Sequence, residues 1–395
     1  MTVTDAITMD AAASRPFGTR QIEAAGVVAL AGVAGTLLFS IAVAQILLTL
    51  ALVCWLVLVI TDGERFEAPR FFLPLLAYAG VTLLSAIFSP DPRVSLVDCK
   101  QLVLFLTVPL AYRLATGSRS SKILTFVLTC AAASAVVGIV QYGILRYDNL
   151  GQRPQGTLGH YMTYSGLLML VLSIALARVL FGRGERAWAA LVMPALAVAV
   201  AVSLSRNAWV GACAAAAVLL ALKDFRLIAL LPIAAAALFA IAPPTISARF
   251  HSIFDPGDPT NRDRVAMLRE GEHMVRAHPL TGVGPNMVLR VYPEYRDPGA
   301  VEKVNPHLHN VPVQIAAERG LPALAVWLWF IGVLTFDLSA LFRSGRERFL
   351  SAAALGVVAA MLAAGLFEYN FGDSEFLMLF LIVVTLPFAA VRSHA

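Results

Sequence analysis

The chain has 395 residues, of which 59% are hydrophobic and only 14% charged, and its mean hydropathy is +0.76. No soluble domain needs that much apolar surface, so the composition leaves a polytopic membrane protein with one globular insertion at most. The net charge of +5 does not argue for nucleic acid, because surplus Lys and Arg in a membrane protein mark cytoplasmic loops and no basic-aromatic patch accompanies them.

Residues 1–21 are polar, and the apolar run behind them spans 24–60. That run is too long for a signal-peptide core, so an uncleaved first span is expected, with a second helix after a tight break near Ser40. Further spans read as 71–88, 95–115, 122–145, 160–181, 187–203, 207–222, 226–242, 321–341, 350–367 and 375–391. Breaks fall at Ser89-Pro90-Asp91-Pro92-Arg93, at 117–121, at 182–186 and at Lys223-Asp224, while 187–222 divides at 203–207. The expected fold is therefore all-α, with about twelve transmembrane helices and one large outer loop containing short helices. Residues 1–242 hold helices 1–9, residues 243–311 form the loop, and residues 312–395 hold helices 10–12.

Cation placement sets the orientation. With the N-terminus cytoplasmic, inner tails and loops carry sixteen Lys and Arg, Arg15 among them, and the short outer loops carry only Arg93, Lys100, Arg146, Arg153 and Arg206. That bias puts both termini inside and the long loop outside. Cys54, Cys99, Cys130 and Cys213 lie in or at the ends of apolar segments and none is in the loop, so no disulfide framework is expected. The loop carries five of the seven histidines and balanced fixed charge, with one helix expected over 262–277. An electrostatic tether would be lopsided.

The richest chemistry sits at 305–320, NPHLHNVPVQIAAERG. Asn310 is a good N-cap for a short helix over 311–319, with Pro312 tolerated in its first turn. The free N–H groups of that helix would face the same spot as His309 and suit an anion. An imidazole there takes a proton near neutral pH, since its ordinary pKa is about 6.5.

Three motifs in order carry a resemblance: Ser205-Arg206-Asn207, then Arg264 followed by His278-Pro-Leu-Thr-Gly-Val-Gly-Pro-Asn, then His309-Asn310, nine residues, Gly320. Together they resemble the O-antigen ligase and polymerase family of membrane glycosyltransferases, over roughly 153–329. Ala323 departs from the residues common in ligases, which bears on the subtype. The resemblance implies transfer of a glycan from undecaprenyl diphosphate to an acceptor hydroxyl such as that of lipid A-core, at the periplasmic face of a bacterial inner membrane. It implies an inverting displacement without a covalent intermediate, His309 as general base, and Arg206 and Arg264 as diphosphate clamps. Beyond the membrane lipids, the partners are the carrier-linked donor and the acceptor. No cofactor and no metal are expected.

Plainer readings stand beside these. His309 is equally a loop histidine held by hydrogen bonds, Arg206 a headgroup anchor at a helix end, and Arg264 a solvated cation paired with Asp263 or Glu270. His307 is supporting or structural. Glu318 either orients an imidazole or is a helix-surface carboxylate. Arg153 and His160, on an outer loop entering a helix, touch carrier or acceptor or form a turn. At the level of function, the alternatives to a ligase are a repeat-unit polymerase of the same family and a transporter or flippase of the carrier lipid. Transporters commonly show internal repeats and midplane charges, and neither is visible.

Overall fold

The structure is a computed structural model describing residues 17–63 and 65–392; Arg15 and most of the polar N-terminal tail lie outside the described residues. Among the described residues the regular structure is helical, with no strand. Helices α1 (Phe17–Thr36) and α2 (Ile41–Asp62) divide the first apolar run where expected, with the Ser40 hydroxyl accepting from Val43 N–H as the N-cap. There follow α3 (Phe72–Ile87), α4 (Pro92–Leu114, wound as 3-10 helix over Cys99–Leu106), α5 (Ser118–Gly143) and α6 (Tyr161–Phe181). Helices α7 (Arg186–Val202) and α8 (Arg206–Lys223) are parted by a turn in which Leu204 takes φ 55°, and α9 is Leu230–Ile241. The long loop contains α10 (Pro244–His251), α11 (Pro259–Ala277) and α12 (Val288–Tyr295). The chain ends with α13 (Val311–Arg343), α14 (Arg348–Gly365) and α15 (Ser374–Val391).

Each of the twelve expected segments is thus helical, but eight helices among the described residues are long and apolar enough to cross a membrane: α2, α4, α5, α6, α8, α13, α14 and α15. The shortfall is mainly one of length. Helices α3 and α7 have 16 and 17 residues, below the roughly 20 that span a bilayer core. The chain is a multi-pass helical membrane protein.

The bundle is built around α14, which packs on α6, α8, α13 and α15. Its apolar window is 78% buried, against 28% for α2 at the periphery. Sequence explains the position: α14 reads SAAALGVVAAMLAAG and α8 reads WVGACAAAAV, small residues that let backbones approach closely. A Cβ on Gly211 would strike the Met169 sulfur and come within 2.9 Å of the Ala360 carbonyl oxygen, so α6, α8 and α14 meet there.

The expected outer loops all gather at one end. Arg290 pairs with Asp91 at 2.7 Å, Arg206 reaches Ser252, Arg264 reaches Phe367, and Asn310 reaches Leu366. Helix α11 lies over this end against α13, and Met267, Met274, Met287, Val288 and Leu308 form a small core of its own. Asp258 caps α11 by accepting from Asn261 N–H at 3.2 Å, with Pro259 at the first helical position, so the helix begins three residues earlier than 262.

Candidate active site

The short helix over 311–319 forms as its cap predicts. Asn310 Oδ1 accepts from Val313 N–H at 3.0 Å, and its amide donates to the Leu366 carbonyl at 3.0 Å, fastening the helix start to the α14–α15 link. At Gly320 (φ 81°, ψ 170°) the chain kinks before running on as the span. Only glycine fits: a Cβ there would drive into the Leu280 carbonyl, and a Cβ on Gly282 into that of Glu318. Between these glycines run three backbone bonds of 2.8 Å, Val283 N–H to Ala317, Gly284 N–H to Glu318 and Leu321 N–H to Pro279. The His278-Pro turn and the His309-Asn310 motif are therefore halves of one interlocked unit.

His309 takes φ 48°, a left-handed backbone that costs about 1–3 kcal/mol and is held by its surroundings. Its Nδ1 lies 2.9 Å from Oε2 of Glu368, in the link between α14 and α15, while His307 Nε2 lies 3.8 Å from the other oxygen. The two imidazoles meet edge to face at 4.1 Å between centroids. Burial pushes Glu368 up, but the His309 imidazole, its hydrogen bond and then His307 outweigh it, so the carboxyl sits below its ordinary value. His307 is pulled down to about 4, by burial first and then by His309. It stays neutral at neutral pH.

Arg206, in the first turn of α8, is 5% exposed. It donates to the Ser252 carbonyl at 3.1 Å and hydroxyl at 3.2 Å and pairs with Asp258 at 3.4 Å, leaving its Nε buried without a partner among the described residues. Burial pushes Asp258 up, but Arg206 and the capping bond leave it below its ordinary value. Arg264, on α11, donates to the Phe367 carbonyl at 3.1 Å. Neither Asp263 nor Glu270 takes it: Asp263 accepts from the Val301 and Glu302 amides and Glu270 from Asp297. Arg206, Arg264 and His309 line one cavity, with Asn207, Asn310 and Phe367.

Two further arginines crowd this cluster. Arg153 stacks on the Tyr161 ring at 4.2 Å, and Arg249, 8% exposed, reaches toward the Leu204 carbonyl. Burial and then Arg206 and Arg153 pull Arg249 down to about 10; burial and then Arg206 lower Arg264 too. Such repulsion among cations is relieved by an anion.

The remaining expected residues fall as follows. His160 caps α6, its Nδ1 lying 3.1 Å from the Thr163 hydroxyl. Glu318 is 2% exposed and paired with Arg319 at 2.7 Å, so it is neither a surface carboxylate nor the one beside His309. That position belongs to Glu368. Nothing in the local sequence of Glu368, Arg249 or Asp258 separates them from other loop charges. His307, His309 and Glu368 offer donor atoms within 4.8 Å of one another, a set able to hold a metal ion, though Glu368 is already engaged with His309 Nδ1.

Comparison with curated proteins gives no match to the chain. Residues 190–328, from α7 to the middle of α13 and including Arg206, Arg264, His307 and His309, match the family model described as O-Antigen ligase, so this membrane-helical segment is similar to that family.

Proposed function

We propose that the protein is a glycosyltransferase that moves a glycan from undecaprenyl diphosphate to an acceptor hydroxyl, such as that of lipid A-core, at the periplasmic face of the inner membrane. One observation carries the reading: Arg206, Arg264 and His309, from three separate parts of the chain, line a single cavity. The family match over 190–328 supports the same class of substrate.

The chemistry follows from the side chains. With Nδ1–H of His309 donated to Glu368, Nε2 is the nitrogen with a free lone pair. It takes the proton from the acceptor hydroxyl as the oxygen attacks the anomeric carbon. The bond from that carbon to the diphosphate oxygen breaks, and its electron pair leaves with the diphosphate. Guanidinium groups present fixed forks of donors to phosphate oxygens, so Arg206 and Arg264 meet the charge that develops there. One displacement inverts the anomeric centre. Glu368 serves as the orienting group of the imidazole, and the proposed displacement calls on no metal.

The test uses purified protein in lipid nanodiscs with carrier-linked glycan, with and without lipid A-core, and products read by mass spectrometry. Glycan joined to core with release of the carrier diphosphate is the expected result. Chain elongation in the absence of core would replace ligation by polymerisation, and no transfer under either condition would overturn the proposal. Activity lost in chelator and restored by a divalent cation would reassign Glu368 and the two histidines to a metal.

A further inference from the structure

A second cavity opens behind the base, at the junction of α6, α14 and α15. Glu368 and His307 line it, whereas His309 lines the first cavity, so the His309–Glu368 contact is the wall between them, and Asn207 borders both. The two chambers differ in charge. Arg206 and Arg264 line the first, whose described lining residues include no carboxylate, Asp258 meeting Arg206 from outside that lining. Glu368 and Asp373 line the second, and among its described lining residues there is no Lys or Arg.

The second chamber also holds unspent hydrogen-bonding capacity. His307 Nδ1 and Asn370 Oδ1 are buried and have no partner among the described residues. Buried polar atoms normally find partners, and such orphans mark where a ligand or water supplies them. Asp373 borders the chamber with three partners of its own: Oδ1 caps α15 through Phe376 N–H at 2.9 Å, Oδ2 accepts from Thr163 at 2.5 Å, and the Glu375 side chain hydrogen-bonds to the carboxylate. The rings of Tyr369 and Phe376 complete the lining with apolar faces. Carboxylate and amide oxygens beside aromatic rings suit a ring compound with hydroxyls at its edges and C–H groups on its faces.

We infer that this second cavity is the acceptor subsite, taking a neutral sugar ring whose hydroxyls meet Asp373, Asn370 and His307, and turning away sugars that carry phosphate or carboxylate. The inference rests on the transferase reading above and deepens it. A phosphorylated ring would face two carboxylates with no cation to offset them, while the same charge is welcome in the arginine chamber. Charge therefore sorts the substrates: the diphosphate belongs on the side of Arg206 and Arg264, and the attacking hydroxyl comes from the acidic side, past the imidazole that takes its proton.

Two variants test this in nanodiscs with purified donor and acceptors. Met162→Trp fills the cavity, and Asp373→Asn removes its charge while keeping an oxygen to cap α15. Met162→Trp should raise the acceptor KM about tenfold or more while the donor KM stays within about twofold. Asp373→Asn should shift the preference between an unphosphorylated acceptor and the same acceptor bearing a phosphate by about tenfold toward the latter. Unchanged acceptor KM in Met162→Trp, or unchanged preference in folded Asp373→Asn, overturns the subsite. Wild-type protein that transfers to no acceptor overturns the transferase reading itself, which keeps the two failures distinct.

Discussion

Oε2 of Glu368 lies 2.9 Å from Nδ1 of His309, joining the link between α14 and α15 to the last loop residue before Asn310 caps α13. Histidine bases are commonly paired in this way: one ring nitrogen is fixed by a carboxylate, and the other is left free to accept a proton. His309→Ala should cut transfer about 10²–10⁴-fold. Donor binding measured directly should stay close to wild type. Glu368→Gln keeps the shape and loses the charge, so turnover should fall by less than in His309→Ala. Wild-type turnover in His309→Ala would remove it as the base.

The two arginines of the first cavity make a separate prediction. Charge-assisted hydrogen bonds contribute about 1.5–3 kcal/mol, so Arg206→Ala or Arg264→Ala should weaken donor affinity roughly 10- to 150-fold. Lysine should restore only part, because an ammonium lacks the fixed fork. Arg206 also braces Ser252 and Asp258, so its alanine variant should lower thermal stability as well. Among the described residues Arg264 makes one hydrogen bond, to the Phe367 carbonyl, and lies 5.8 Å over the Phe367 ring, so its variant should separate binding from stability more cleanly.

His307 predicts a pH effect on stability. Its folded pKa, about 4, lies below the 6.5 of a free imidazole, so between those values the unfolded chain binds a proton that the folded one does not. Stability should therefore fall as pH drops from about 6.5 toward 4 and level off below that. Glu368 acts at lower pH: its depressed carboxyl contributes stability above the ordinary carboxylate range, lost as pH falls through its folded value. Thermal unfolding of His307→Gln across pH 4–7 should lack the first decline. A slope identical to wild type would show that another group carries it.

How much of this was legible beforehand depends on whether the signal was local. Caps, breaks and apolar runs are local, and Ser40, the turn at 203–205, Asn310 and Gly320 all fall where the sequence puts them. The clustering of Arg206, Arg264 and His309 followed from motifs whose order resembles a family, not from periodicity. Glu368 was illegible because its partner is 59 residues away and a lone Glu after an apolar helix has no distinguishing neighbour. Glu318, next to the motif in sequence, reads either as a group orienting the imidazole or as a helix-surface carboxylate, and it is neither: α13 turns it inward to Arg319, and the carboxylate beside His309 is that of Glu368. Helix lengths of 16 and 17 residues likewise decide which segments qualify as spans, and a boundary error of a few residues hides that.

The interlock between Gly282 and Gly320 gives the last test, because it separates backbone geometry from side-chain chemistry. Both glycines have positive φ, 66° and 81°, and each would press a Cβ into the other segment's backbone. Alanine at either site adds the left-handed penalty of about 1–2 kcal/mol to a clash that no side-chain rotation relieves. Gly320→Ala and Gly282→Ala should each lower Tm by on the order of several degrees. They should also reduce transfer, since the 311–319 helix would shift away from the turn that anchors it. Gly332 is the internal control: it lies in the same α13, a Cβ there meets nothing within 4 Å, and its φ is not positive. Gly332→Ala should be neutral or raise stability by about 0.5–1 kcal/mol. Equal effects at Gly320 and Gly332 would mean that the kink does not position the site.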